Sequence, residues 1–197
     1  MNSKIRNYSA LAVATAAVVP LACKKDDNAN IRHVTLNKTI VGVGTTSWEA
    51  QDSVDLNSDG VFDFYLVTAA GLDYYGDDYT ATYIYGLQTG NDIVSNNITI
   101  LSQPTPFATP KNSGDQINSS STIFSYYAYF SAKSIDNSFD EGINGDGDKY
   151  IGFRFKIGGD THYGWAKVNV SADHKTIILK EYAYNEDANS GIGVGDE

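Results

Sequence analysis

The sequence predicts an all-β fold. An antiparallel β-sandwich, including its jelly-roll form, is the first choice and a barrel is the second. Strand-forming residues are abundant in the 197-residue chain, which has 14 Tyr and 8 Phe beside many Val, Ile and Thr. The 18 glycines suit frequent turns, and short apolar segments recur between turn residues as in a sandwich or barrel. With 42% apolar residues, the chain has enough hydrophobic material for the core of one domain.

The first half of the domain predicts short strands separated by turns. Residues 34–36 and 39–41 consist of Val, Ile, Leu and Thr and are candidate first strands, and Asn37-Lys38 between them suggests a turn. Further strands are predicted at residues 62–68, 80–85 and 98–101. The segment from Ser102 to Ser121 contains Pro104, Pro106 and Pro110, and proline cannot donate to a central ladder. We therefore expect a long surface loop there.

The second half of the domain carries the longer strand patterns. Residues 150–157 alternate strictly between apolar and small or charged side chains, which is typical of a half-buried strand. The tail at 186–197 is polar and rich in glycine, so we expect it to be loose. A single domain over residues 31–185 is predicted, and its later strands cover residues 123–130, 150–157, 162–170 and 176–184.

The first 22 residues have the layout of a secretory signal peptide. Lys4 and Arg6 precede the apolar segment 10–19, which is too short to span a membrane. Leu21-Ala22 then leads to Cys23, the only cysteine of the chain, at the place of a lipid-accepting cysteine in bacterial lipoproteins. One cysteine cannot form an intramolecular disulfide. The pattern predicts lipidation of Cys23 and a membrane anchor, and an ordinary signal peptide with an incidental cysteine is the alternative.

The residues after Cys23 suggest an export signal. Lys24-Lys25-Asp26-Asp27 resembles the Lys-Asp-Asp export signal that follows the lipidated cysteine in surface lipoproteins of the Bacteroidetes. That resemblance implies an outer-membrane protein, lipid-anchored and exposed at the cell surface, and a plain charged linker is the alternative. Residues 23–30 are polar and are expected to form a flexible tether.

An acidic loop is the most specific motif of the chain. Side-chain oxygens stand at positions 1, 3, 5 and 9, a glycine stands at position 6, and the carbonyl of position 7 completes the set. This spacing suits Ca²⁺, which takes six to eight oxygen ligands. Position 12 is Leu66 instead of the EF-hand glutamate, and the frame D-x-N-x-D-G-x-x-D resembles the calcium loops of β-propeller repeats. The predicted ligands are Asp55, Asn57, Asp59, Val61 and Asp63, and a solvated turn is the alternative.

The C-terminal third resembles a group of uncharacterised secreted bacterial proteins. It contains the strand Tyr150-Ile-Gly-Phe-Arg-Phe, the "YGW" strand at 163–165 and the closing Ala183-Tyr-Asn. Those proteins also have an Asp-rich loop. The resemblance implies a secreted β-domain and adds no enzymatic activity.

Two further features are candidate sites. Asn144, Asp146 and Asp148 match the first three ligand positions of a calcium loop, although Lys149 replaces the glycine. A solvated hairpin loop is the alternative. Several tyrosines, such as Tyr126, Tyr127 and Tyr129, are candidates for stacking on sugar rings or for the core. Tyr74 and Tyr75 are the preferred ligand platform because they lie in a predicted loop.

Charge and motif content narrow the function. The net charge of −10 repels phosphate backbones, so nucleic-acid binding is not expected. His33, His162 and His174 show no zinc-ligand spacing, and no nucleophile elbow or phosphate loop is present. The sequence favours a non-enzymatic binding or adhesion module with Ca²⁺ as its cofactor and a glycan or a protein as its ligand. The alternatives are a glycan-capturing lipoprotein of an outer-membrane uptake system and a glycoside hydrolase with an unrecognised carboxylate pair.

Overall fold

The fold is all-β, as predicted, and no helix occurs in the described residues. The computed structural model describes residues 30–44, 47–72, 78–121 and 124–197. The first eight strands are β1 (Ile31–Val41), β2 (Trp48–Val54), β3 (Phe64–Leu72), β4 (Asp78–Gly86), β5 (Asp92–Ile100), β6 (Gln103–Ala108), β7 (Pro110–Lys111) and β8 (Gln116–Ile117). The remaining strands are β9 (Phe124–Ser125), β10 (Tyr127–Ser134), β11 (Asp140–Gly142), β12 (Asp148–Ile157), β13 (Asp160–Val170), β14 (Thr176–Asn185) and β15 (Ile192–Gly193).

One large sheet dominates the domain. Its strand order is β1-β14-β13-β12-β5-β6-β10-β4-β3-β2, and β7, β9 and β11 pair beside this path. The pairing of β6 with β10 is parallel, at Phe107 and Tyr129, and the other strand pairs of the described residues are antiparallel. Strands β8 and β15 form a separate two-stranded sheet.

The two ends of the large sheet approach each other. Lys38 on β1 donates from Nζ to the carbonyl of Ser53 on β2 at 2.7 Å, and its Nζ lies 3.0 Å from Asp52 Oδ2. Thr68 on β3 donates to the carbonyl of His174, in the turn between β13 and β14, at 3.2 Å. The sheet is therefore curled until it is nearly barrel-shaped, between the two predicted architectures.

The interior of the curl holds the main core. Side chains from both halves of the sheet meet there, and a cavity of about 30 Å³ remains among them, about the space of one water molecule. Buried members of this core include Phe64, Leu66, Ile93, Phe130, Phe153, Phe155, Ile177 and Tyr184. A second cluster lies around Trp165. The next residue, Ala166, packs against the main core, so the side chain of Trp165 faces the outer side of the sheet.

Three local expectations need correction. Residues 31–41 form one strand instead of two strands with a turn. Asn37, at φ 52°, lies in a β-bulge, and β14 pairs with Thr35 before the bulge and with Lys38 after it. The proline-rich segment is not a plain loop, since Pro104 and Pro106 lie on β6 and pair with β5. The tail is anchored: β15 pairs with β8, and Ile192 and Val194 are buried against the Trp165 cluster.

Several predictions lie outside the described residues. These are the signal segment 1–22, Cys23, most of the tether 23–30, and the proposed platform residues Tyr74 and Tyr75. The described residues contain no helix that is long and apolar enough to cross a membrane.

Candidate functional site

The predicted calcium loop lies between β2 and β3, at one end of the curled sheet. Val54 is buried at the end of β2, and its carbonyl accepts a hydrogen bond from the Asp63 amide at 2.8 Å, which closes the loop. Ser58 at φ 63° and Gly60 at φ 88° occupy left-handed conformations, which permit the sharp turn. The loop therefore has the compact form that the spacing of its oxygens predicts.

The side chains at positions 1, 3 and 5 turn toward the loop backbone. Asp55 accepts hydrogen bonds from the amides of Ser58 at 2.7 Å and Gly60 at 2.9 Å. Asn57 Oδ1 accepts from the Asp59 amide at 3.1 Å, and Asn57 Nδ2 donates to Asp59 Oδ2 at 2.9 Å. Each ionised carboxylate has about four acceptor positions, so these bonds leave lone pairs for an ion.

Asp63 connects this loop to the domain interior. Its side chain is only 4% exposed; Oδ2 accepts from the Leu56 amide at 2.8 Å and Oδ1 accepts from Asn91 Nδ2 at 3.2 Å. Burial raises the pKa of Asp63 to about 6, against the lowering effect of these two hydrogen bonds, and the nearby charges of Asp55 and Asp59 raise it further. A buried carboxylate beside two others is the electrostatic setting that a divalent cation stabilises.

The neighbours of Asp63 hold the loop in register with distant strands. Asn91 is fully buried, and its Oδ1 accepts a hydrogen bond from the Lys156 amide of β12 at 3.0 Å. Tyr182 of β14 donates its hydroxyl to the carbonyl of Leu56 at 2.9 Å. Arg32 of β1 donates to the Asn57 carbonyl at 3.1 Å. These hydrogen bonds connect the position of the loop to strands β1, β12 and β14 of the closed sheet.

The donor set of the loop fits a hard cation, although its aspartates lie apart in the structure. Four of the five predicted ligands offer side-chain oxygens, and Val61 offers its carbonyl, all of which Ca²⁺ accepts. In the structure, the carboxylate oxygens of Asp55, Asp59 and Asp63 do not all lie within 4.8 Å of one another. Binding would therefore draw Asp55, Asp59 and Asp63 closer together.

The second predicted metal loop has lysines at its carboxylates. Asp148 Oδ2 lies 2.7 Å from Lys180 Nζ, and its Oδ1 accepts from Asn169 at 2.9 Å. The hydrogen bond from Lys180 is the main cause that lowers the pKa of Asp148. Asp146 lies 3.7 Å from Lys149. The metal site at Asn144, Asp146 and Asp148 stays a prediction, and a cation there would compete with these lysines.

A surface of tyrosines, which the sequence reasoning only partly found, covers the outer side of three neighbouring strands. Tyr65, Tyr85 and Tyr127 pair across β3, β4 and β10, and Tyr83 pairs with Tyr129 in the adjacent row. All five are half-buried. We call these five residues the tyrosine face. The sequence identified only Tyr127 and Tyr129 as candidates. Tyr65, Tyr83 and Tyr85 join them through strand pairing, which the sequence does not reveal.

The rings of the tyrosine face rest on one another. Centroids of Tyr65 and Tyr85 are 5.3 Å apart, those of Tyr83 and Tyr129 are 5.6 Å apart, and Tyr83 and Tyr85 stack at 26° between planes. Burial, followed by the charge of Glu49, raises the pKa of Tyr83 to about 12. At the edge, Tyr126 is 65% exposed and packs on Tyr127 at 4.9 Å. The face is therefore an array of aromatic rings that hold one another in place.

One group of possible metal ligands was not expected from the sequence. His33, Glu181 and Glu197 offer ligand atoms within 4.8 Å of one another. Glu181 also pairs with Lys167 Nζ at 3.0 Å, and Glu197 is exposed. The three residues are far apart in the sequence, so no spacing signal exposes the group.

No protein-family model, no curated protein and no solved structure matches this chain.

Proposed function

We propose that this chain is a surface lipoprotein of the outer membrane, anchored through Cys23, whose β-domain is stabilised by Ca²⁺ and binds a ligand without transforming it. The observation that carries the proposal is the loop Asp55–Asp63. It sets three carboxylates around one turn and ties the last of them, Asp63, to the buried Asn91.

Electrostatics supports a bound cation at this loop. The ionised form of Asp63 is disfavoured by burial and by two further carboxylates nearby. A divalent cation converts this repulsion into attraction and fixes the start of β3. Because Asp63 bonds to Asn91, whose side chain also accepts a hydrogen bond from Lys156 of β12, the stabilisation would extend to the closed sheet.

The packing of the interior supports binding at the outer surface. The cavity inside the curl has room for about one water molecule, and its lining is apolar, so it offers neither space nor catalytic groups to a substrate. The outer surface instead carries the tyrosine face, where a ligand can reach aromatic rings and hydroxyls.

Thermal unfolding tests the calcium site. With a Kd of about 0.1–1 mM, as is common in extracellular modules, 10 mM Ca²⁺ should stabilise the fold by about 1.4–2.7 kcal/mol. For a domain of this size, that corresponds to a rise in Tm of about 3–10 °C over EDTA. Mg²⁺ should have a smaller effect because it demands strict octahedral geometry.

Two variants locate the effect. Asp59→Ala removes a central ligand and should abolish the Ca²⁺-dependent rise in Tm. Glu141→Ala, at an exposed carboxylate of β11 outside both predicted ligand sets, is the matched control and should keep it. Equal Tm values in EDTA and Ca²⁺, together with no binding heat in calorimetry, would refute the proposal of a calcium-stabilised domain.

A further inference from the structure

We infer that the tyrosine face binds an uncharged polysaccharide chain, with sugar rings stacked on Tyr65, Tyr85 and Tyr127. This inference deepens the proposed binding function and rests on it. Its origin is the cross-strand register, which brings tyrosines of β3, β4 and β10 into one line across the sheet.

The shape of the face suits an extended chain. Neighbouring strands lie about 4.8 Å apart, so one tyrosine per strand gives a line of rings with a regular step. The ring centroids of Tyr65 and Tyr85, on neighbouring strands, lie 5.3 Å apart with their planes tilted by 52°, which is close to this step. Tyr126 precedes Tyr127 in the chain, packs edge-on against its ring at 4.9 Å and adds a more exposed ring at the edge of the face. A linear polymer of ring-shaped units can therefore follow the line and place successive units over successive rings.

The chemistry of the face suits sugars. A pyranose has one face of C–H groups, which packs on an aromatic ring, and hydroxyls around its rim, which need polar partners. Tyrosine offers both an apolar ring and a hydroxyl. Glu49 lies close enough to raise the pKa of Tyr83 and Tyr85, so a carboxylate that can accept from sugar hydroxyls stands beside the rings.

Charge decides which polymer can bind. Glu49 beside the rings and the net charge of −10 disfavour uronate, sulfate and phosphate groups. Single-stranded nucleic acid, which also stacks on aromatic rings, needs a positive groove for its backbone. An uncharged glycan meets none of this repulsion.

Tyrosine rings are also common at protein–protein interfaces, so a contact between copies of this chain is an outcome that the experiment must distinguish. Val67 and Ala81, which share the outer side with Tyr83, are buried, with exposures of 1% and 0%. Half-buried Ile98, Ile100 and Phe139 pack in one cluster with Tyr83 and Tyr129. Because the tyrosine rings support one another, little side-chain entropy is lost when a ligand settles on them.

Affinity electrophoresis tests the inference on the folded domain. The native gels contain a mixed-linkage β-glucan, a xylan or a galactomannan, and polygalacturonate is the anionic comparison. We expect at least one uncharged polysaccharide to retard the protein and polygalacturonate to leave its mobility unchanged. Tyr85→Ala should weaken the retarding interaction about tenfold or more, because a stacked ring contributes roughly the 1.4 kcal/mol that tenfold represents.

Further variants separate loss of the ring from loss of the fold. Tyr85→Phe keeps the ring and should retain most of the binding. Tyr126→Ala removes a side chain that is 65% exposed, so it should weaken binding with the Tm unchanged. Asp160→Ala, at an exposed residue of β13 on the opposite half of the curled sheet, is the control and should bind as wild type.

Three outcomes would overturn the inference. They are no retardation by any of the uncharged polysaccharides, retardation that survives both Tyr85→Ala and Tyr126→Ala, and self-association in sedimentation that Tyr126→Ala abolishes. The last would identify the face as a contact between copies of this chain. If Ca²⁺ raises the Tm while no polysaccharide binds, only this inference fails. If Ca²⁺ has no effect either, the proposed function fails with it.

Discussion

The titration of Asp63 makes the metal-free domain lose stability as pH rises. In the folded state the pKa of Asp63 is raised from 3.8 to about 6, chiefly by burial. A carboxyl with a raised pKa binds its proton more tightly in the folded state than in the unfolded state. Its contribution to stability is therefore fully present below about pH 4 and is lost as pH rises through about 6.

The size of this effect follows from the shift. A change from 3.8 to about 6 is roughly two pKa units, and each unit corresponds to 1.36 kcal/mol, so the loss is about 3 kcal/mol. Urea unfolding in EDTA, followed by tyrosine and tryptophan fluorescence at pH steps from 4 to 8, measures it. The expected slope between pH 4 and 6 approaches −1.4 kcal/mol per pH unit from this group.

The difference between wild type and Asp63→Asn isolates this slope from other titrations. The buried His174 acts in the opposite direction, because burial lowers its pKa and it resists protonation in the folded state. His174 is present in both proteins, so its effect cancels in the difference. Saturating Ca²⁺ should remove the loss, since the ion favours ionised Asp63. A difference curve that stays flat from pH 4 to 8 in EDTA would contradict the assigned burial of Asp63.

Three further predictions concern the anchor, the loop support and the backbone. Cys23→Ser should move the protein from the membrane fraction to the soluble fraction, and mass spectrometry of wild type without an acyl group would refute lipidation. Asn91→Ala should cost about 2–4 kcal/mol in urea unfolding, because it leaves the Lys156 amide and the Asp63 carboxylate without their buried partner. Gly142→Ala should lower the Tm far more than Gly147→Ala. Both glycines have positive φ, but a Cβ at Gly142 would lie 2.2 Å from the Phe130 carbonyl oxygen while Gly147 has open space; equal Tm losses would refute this reason.

The fold class was predictable because alternation and turn residues are local signals. The strict alternation of residues 150–157 falls inside β12, and the predicted segments at 162–170 and 176–184 fall within β13 and β14. Strand pairing was not predictable in the same way. Pro104 and Pro106 argued against a strand, yet β6 accommodates them where it pairs with β5 and meets β10 at a single parallel bridge.

The acidic loop was predictable from local spacing, whereas the tyrosine face depends on strand pairing and was not. The loop is a contiguous segment, so its spacing alone predicts which oxygens face inward. The partnership of Asp63 with Asn91 joins residues 28 positions apart, and no local pattern reveals it. In the tyrosine face, Tyr83 and Tyr85 show the period of a strand, but the sequence cannot say which tyrosine of another strand lies beside them.

The register that creates the tyrosine face also depends on the acidic loop. Asp63 directly precedes β3, and Tyr65 is the second residue of that strand, so the position of Asp63 sets where Tyr65 lies against Tyr85. A shift of one residue would turn Tyr65 into the core and Leu66 outward. A cation that fixes the loop therefore favours the register in which the rings share one surface. We expect the affinity for a polysaccharide to fall in EDTA even at temperatures where the domain stays folded. Affinity that is unchanged on Ca²⁺ removal would show that the packing of Phe64 and Leu66 holds the register without the ion.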